Sequence, residues 1–277
     1  MSGSSIAAVD DQIRPVLDHL RKEDPGGLVG VYLYGSGATT GLCPDSDIDL
    51  LVLTRRTLTA AERASLVALL LGVSGWSGNE SRFPEVAGRR PLEVTSLVVD
   101  DVHPLTENPR PDFQYGEWMR GELVDGLASD PEHDPDVVIL LFTALGSHRV
   151  LHGEALQDVV PRVPPTLLQR AQLALLPDMP NGLVGDERNV LLTLARMVVT
   201  AESGQILPKH EAAERVRPRL VKAEAELLSL ARDEYLGRIR VDWMDRRERT
   251  LGTVQTLQRL VHDAADHLGA GTPSDSS

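Results

Sequence analysis

Asp47 and Asp49 stand two residues apart in the stretch YLYGSGATTGLCPDSDIDLLVLT, residues 32–54, directly ahead of an apolar run. Aspartate is a poor strand former, so two of them in the most strand-like segment ask for a reason. Successive side chains of a strand point to opposite faces, which puts Asp47 and Asp49 together and Ile48 and Leu50 on the other side. Two carboxylates sharing an edge repel each other unless a proton or a cation lies between them. Magnesium meets that need, because it takes hard oxygen ligands and combines one or two carboxylates with phosphate oxygens. A solvent-exposed strand end is the plain alternative, and for an isolated Asp-x-Asp it is the more economical one.

Two further features shift the balance. Gly35-Ser36-Gly37 lies about ten residues upstream, after another apolar segment. Glycines in such a turn let a phosphate approach the free backbone N–H groups, and Ser36 adds a hydroxyl donor. Glu93 then interrupts the β-branched, apolar segment PLEVTSLVV between Leu92 and Val94. Together Asp47, Asp49 and Glu93 form a set able to bind magnesium and to accept a proton from an attacking hydroxyl.

The elements that must position these groups follow from periodicity and punctuation. Apolar residues at Ile6, Val9, Ile13, Leu17 and Leu20 predict a helix over 6–21, with Pro15 kinking it or delaying its start. Strands are predicted over 28–35, 46–54 and 91–102. A helix is predicted between the last two, with Thr59 as N-cap and Glu62 completing a capping box. From residue 134 onward the pattern is helical, and little of the later chain has strand character. His148 and His152, four residues apart, have no further ligands nearby and are expected to be ordinary surface residues. The proline-rich VPRVPPT marks a boundary. The expected class is α+β: a mixed α/β domain over 1–160, an α-helical bundle over 161–270, and a disordered tail over 271–277.

Composition narrows the setting. The chain has 277 residues, and a net charge of −13 disfavours a nucleic-acid partner, which would call for a basic patch. An acidic surface instead favours a cationic ligand, although many acidic proteins are so for solubility alone. No apolar run reaches the roughly 20 residues needed to span a bilayer. The N-terminal residues lack the pattern of a signal peptide. Cys43 is the single cysteine, which fits a reducing cytoplasm. A monomeric, cytoplasmic protein without membrane partners is the expectation.

Farther along, Asn189, Thr193, Arg196 and Thr200 recur at spacings of four, three and four, with Asp186 one turn before. That is one polar stripe on an otherwise apolar helix, read as lining a cleft between domains. An amphipathic surface helix capped by Asp186 is the alternative. Trp118, in YGEWMRG, is by itself an ordinary candidate for the core.

The segments GSGATTGLCPDSDIDLLV, LEVTSLVV, FQYGEWMRGELVDG, GDERNVLLTLARMVVTAESGQILPK and EYLG resemble, in order and spacing, the aminoglycoside 3''/9 adenylyltransferases that inactivate streptomycin and spectinomycin. The first motif alone fits any nucleotidyltransferase, whereas YGEW with GDERN is far more specific. The resemblance implies transfer of AMP from Mg-ATP to a drug hydroxyl, with pyrophosphate released. Asp47 and Asp49, with Glu93, would hold magnesium, and Glu93 would be the base. The nucleotide would be bound by Gly35, Ser36, Ser46, Asp136, Asn189, Lys209 and Tyr235. Trp118, Glu117, Asp186 and Arg196 would bind the antibiotic. On its own residues Asp136 reads as a helix N-cap.

The bifunctional relatives carry a Trp and an Asp just ahead of GDERN that contact streptomycin, whereas Pro177 and Gly182 hold those positions here. The features implied for spectinomycin remain, and the streptomycin contacts are missing. Asp178 and Asn181 lie nearby as substitutes. Two other classes stay open. One is a non-catalytic nucleotide-binding or antitoxin-like module, against which the three-carboxylate set argues. The other is a nucleotidyltransferase acting on tRNA, protein or another small molecule, of which the acidic charge disfavours tRNA.

Overall fold

The computed structural model describes residues 3–38, 42–44, 46–127 and 131–269, so the expected disordered tail lies outside the described residues. The chain divides into two compact units, Met1–Pro164 and Pro165–Ser277. The class is α+β, and among the described residues no helix is long and apolar enough to cross a membrane.

The first unit is built on a five-stranded sheet. Its strands are β1 (Leu28–Tyr34), β2 (Ile48–Thr54), β3 (Leu92–Val98), β4 (Phe113–Tyr115) and β5 (His148–His152), in the order β4-β3-β2-β1-β5. Only β2 and β3 pair in parallel; the other neighbours are antiparallel. Helix α1 (Gly3–Glu23) and helix α2 (Ala60–Val73) carry the apolar stripes that cover one face. Val9, Ile13, Val16 and Leu20 of α1 and Leu66 and Leu70 of α2 pack with Leu33, Leu50, Val52 and Val94. The predicted capping box at Thr59 and Glu62 is present in full. Pro15 is inside α1 without ending it.

Three expectations need correction. Strand β2 starts at Ile48, so Asp49 belongs to the strand while Asp47 lies in the loop just before it. His148 and His152 open and close β5, which pairs with β1 and follows helix α4 (Asp136–Gly146). The His148 ring meets Tyr32 edge-on, with centroids 5.6 Å apart. Its short, half-buried sequence carried no clear alternation, and pairing with β1 outweighs that weak local signal. Asp136 is the first helical residue, not the cap: Pro135 occupies that position, and the Asp136 N–H donates to Asp134 Oδ1 at 2.8 Å.

A buried ion pair fixes the corner where β4 turns into the short helix α3 (Arg120–Val124). Glu117 and Arg120 are both buried, with Nε to Oε2 at 2.7 Å. Tyr115 Oη and Ser74 Oγ also donate to the Glu117 carboxylate. Arg120 further donates to the carbonyls of Leu71 and Ser74 at the end of α2. Burial pushes the Glu117 carboxyl up, but the hydrogen bonds from Arg120 and Ser74 outweigh it and hold the group below its ordinary value. Burial alone would have left a charge unpaid for in water-free surroundings.

The second unit is helical. After α5 (Leu156–Val159) closes the first unit, the second runs through α6 (Pro165–Leu175), α7 (Glu187–Ser203), α8 (Lys209–Val216), α9 (Lys222–Tyr235) and α10 (Arg247–Gly269). Helix α7 is the centre, packed against α8, α9 and α10. Its residues from Val190 to Ala201 are buried except at Thr193 and Arg196.

Removing one partner of the Glu117–Arg120 pair leaves a buried charge alone, so Arg120→Ala should lose about 3–5 kcal/mol of unfolding free energy, measured with denaturant. Because the folded Glu117 carboxyl titrates below its unfolded value, its contribution is present above the unfolded pKa and fades as pH falls through the folded one. Wild type should therefore exceed Glu117→Gln at neutral pH, and the margin should shrink below about pH 4.

Candidate active site

The register of the first unit assembles the carboxylates. Asp49 pairs with Tyr34 of β1 on one side and with Glu93 of β3 on the other. Directly opposed residues share a face, so Tyr34, Asp49 and Glu93 form a row across three strands. Asp47 precedes Asp49 by two residues, and Asp47, Asp49 and Glu93 are all half-buried beside fully buried Ile48 and Leu92. Rigid, apolar neighbours thus hold polar groups where solvent still reaches them.

The Gly-Ser-Gly turn closes over the end of the row. Gly35 has φ of +63°, and a Cβ there would come within 2.3 Å of Asp49 Oδ2. A side chain at that position is excluded twice, by left-handed backbone geometry and by the carboxylate itself. The Gly-Ser-Gly turn is therefore pressed directly against the Asp49 carboxylate. Ser46 is buried, and its hydroxyl accepts from the Cys43 N–H at 3.0 Å, so that part of its capacity holds the loop.

Among the described residues no group of three or more His, Cys, Asp and Glu is arranged to hold a metal ion. The expected three-carboxylate cage is thus not presented as such. Asp47 and Asp49 alone suit magnesium, which commonly takes one or two carboxylates and completes its shell with phosphates and water. The donor set and the cradle that Gly35 leaves open fit the ion, with Glu93 set one strand away.

Trp118 is 69% exposed and so is not a core residue. Its ring lies over Gly116, where a Cβ would meet Cζ3 at 2.1 Å. A cavity of about 380 Å³ opens beside it, walled by Trp76, Asn79, Arg82, Phe83 and Asp125. Trp76 and Arg82 had no sequence signal beyond residue type. Glu117 also lines this cavity, and its carboxylate is engaged by Arg120, Tyr115 and Ser74, so that it anchors the turn that projects Trp118. Asp136, also in this unit, starts α4.

In the second unit, Asn189 Nδ2 donates to Asp186 Oδ1 at 2.7 Å. Desolvation pushes the Asp186 carboxyl up, while Asn189, Lys209 and Arg188 pull the other way. Asp186, Asn189 and Lys209 therefore form one neighbourhood. Lys209 begins α8 and its neighbour His210 stacks on Tyr235 of α9, centroids 6.5 Å apart at 23°. His210 went unremarked in the sequence because nothing local marks a contact made across 25 residues. Arg196 and Thr193 are half-buried on the same helix, whereas Thr200 is buried and bonds the Arg196 carbonyl.

Residues 158–259 match the family described as aminoglycoside adenylyltransferase, C-terminal domain. A spectinomycin 9-adenylyltransferase of Campylobacter jejuni is 36% identical over 238 residues, 86% of this chain and 90% of its own length. An aminoglycoside (3'') (9) adenylyltransferase of Klebsiella pneumoniae is 33% identical over 264 residues, 95% of both chains. The crystal structure of the Enterococcus spectinomycin adenyltransferase AAD(9) with ATP and spectinomycin superimposes with a TM-score of 0.84 at 29% identity, covering 91% of this chain and 98% of that one. A mixed sheet with carboxylates in register beside a Gly-Ser-Gly turn, in such company, belongs to a nucleotidyltransferase. The chain is a member of the aminoglycoside adenylyltransferase family.

Gly35→Ala tests the close approach. Left-handed geometry costs a residue with a Cβ roughly 1–2 kcal/mol, and the new methyl must displace the Asp49 carboxylate. Metal-dependent turnover should fall about 10-fold or more, measured by pyrophosphate release, with a small drop in Tm.

Proposed function

We propose that the protein transfers AMP from Mg-ATP to a hydroxyl of spectinomycin, conferring resistance in the cytoplasm as a monomer. The observation that carries the reading is the register of Asp49 with Glu93, with Gly35 packed on Asp49. Membership of a family whose relatives are named for this reaction supports the acceptor. A binding module has no use for Glu93 beside Asp49, which disfavours the non-catalytic alternative.

Glu93 takes the proton of the drug hydroxyl, whose oxygen forms a bond to the α-phosphorus as the bond to pyrophosphate breaks. Asp47 and Asp49 would hold the magnesium, which neutralises triphosphate charge when bound. Gly35, Ser36 and Ser46 bind phosphate, and Lys209 offsets its charge. Asn189, Asp136 and Tyr235 position the nucleotide. Trp118 offers an aromatic face to an ammonium group, with Asp186 and Arg196 as polar contacts. Glu117 serves the drug indirectly, by fixing the turn that carries Trp118. The work is positioning and charge neutralisation.

Glu93→Gln keeps shape but cannot accept the proton. A positioned base contributes ~10²–10⁴-fold, so kcat should fall by that much while ATP binding by calorimetry is retained. Near wild-type turnover would exclude Glu93 as the base.

Acceptor choice follows from Pro177 and Gly182. Pro177 lies in a 3-10 turn, and no heavy atom lies within 4 Å of a Cβ placed at Gly182. The nearby substitutes are engaged with each other, Asn181 Nδ2 donating to Asp178 Oδ1 at 3.1 Å. A stacked cation contributes about 0.5–2 kcal/mol and a charge-assisted hydrogen bond about 1.5–3 kcal/mol. Losing both weakens streptomycin by roughly 30- to several thousand-fold. Calorimetry on ATP-loaded Glu93→Gln should show clear spectinomycin binding and weak or absent streptomycin binding. Equal affinities would refute the single-drug reading.

A further inference from the structure

Among the described residues ahead of β2, those from 42 to 44 and 46 to 47 are outside any strand. Within this stretch the Cys43 N–H donates to Ser46 Oγ, and the Ser46 N–H donates to the Cys43 carbonyl at 3.1 Å. Further fixation comes from a distant part of the chain. Arg90 Nη1 donates to the carbonyls of Cys43 and Pro44, each at 2.9 Å, and of Ser46 at 3.1 Å. The Ser46 carbonyl belongs to the peptide joining Ser46 to Asp47. On the far side of Asp47, the Ile48 N–H donates to the Pro91 carbonyl at 2.9 Å. Adjacent residues Arg90 and Pro91 thus grip the backbone of Asp47 before and after it.

Arg90 is itself held. Gln12 Nε2 donates to the Arg90 carbonyl at 2.7 Å and to the Val73 carbonyl at 3.0 Å. The Gly75 N–H reaches the same Arg90 carbonyl at 3.3 Å. Two residues beyond Pro91 comes Glu93, so one short segment carries both the grip on Asp47 and the neighbour of Asp49. Three carbonyl dipoles converging on one guanidinium nitrogen suit a charge that never titrates away.

We propose that Arg90 is a positioning residue for the metal-binding carboxylates, holding Asp47 in line with Asp49 and Glu93. The assignment deepens the nucleotidyl-transfer reading and rests on it. Asp49 is aligned by strand pairing on both sides, whereas Asp47 lies outside the strand and this grip holds the backbone on either side of it. Outer partners of metal ligands typically govern metal affinity by about 10–100-fold.

The test is ATP binding by calorimetry across a magnesium titration, with no antibiotic present. Arg90→Ala should raise the half-saturating magnesium concentration by about 10–100-fold and leave the affinity for metal-free ATP unchanged. Arg90→Lys, which keeps a cation but not the reach to all three carbonyls, should give a smaller rise. An unchanged half-saturating concentration in Arg90→Ala overturns the assignment. So does an equal loss of ATP affinity with and without magnesium, which is what a merely structural role would give. Should Arg90→Ala fail to fold by circular dichroism, the lysine variant decides: a raised value supports the assignment and an unchanged one overturns it. Wild-type protein that binds ATP in a magnesium-dependent way yet leaves spectinomycin unmodified would refute the proposed acceptor and not the role of Arg90.

Discussion

Carboxylates placed side by side on one sheet face repel, and the first unit is organised to hold that repulsion in place. Asp49 sits between Tyr34 and Glu93 by strand register, and neither carboxylate can move away without breaking ladder hydrogen bonds on β2 or β3. The apolar residues that alternate with them, Ile48 and Leu50 on β2 and Leu92 and Val94 on β3, are fully buried. Slipping a strand by one residue would bring those into water and the charges into the core. Hydrophobic burial therefore supplies the force that keeps like charges together.

The same logic extends outward through polar contacts. Where the sheet ends, Gly35 gives way so that Asp49 can approach the turn. Beyond the strand, Arg90 stands in for the missing ladder around Asp47. At the start of β3, Ser74 and Glu117 tie the turn bearing Trp118 into the buried interior. In the second unit Asp186 and Asn189 at the start of α7 and Lys209 at the start of α8 form one polar neighbourhood.

What the sequence disclosed and what it hid divide along a physical line. Asp47, Asp49, the glycine turn and Glu93 were legible because each is a charged or glycine residue in a segment whose other positions are strand-forming, a local conflict that points to a site. The stripe on α7 was legible through its spacing. Strand β5 was hidden because its residues have no alternation and its existence depends on the free edge of β1. Glu117 was placed beside a ligand by its sequence neighbour Trp118, yet the turn sends the two side chains to opposite environments, one buried and one exposed. Arg90 and His210 gave no signal, since their partners lie 44 to 47 and 25 residues away.

Ser74 carries a wider consequence. Its buried hydroxyl accepts from the Leu92 N–H at 3.0 Å and donates to the Glu117 carboxylate. Leu92 is next to Glu93, and Glu117 is next to Trp118. One oxygen atom therefore couples the strand that bears Glu93 to the turn that bears Trp118. With Glu93 and Trp118 in the roles proposed above, a lineage broadening its drug spectrum by reshaping that turn would disturb proton abstraction in the same step. Adaptation is then channelled toward the helical unit, where positions such as Gly182 have open space around them and can vary without touching the chemistry.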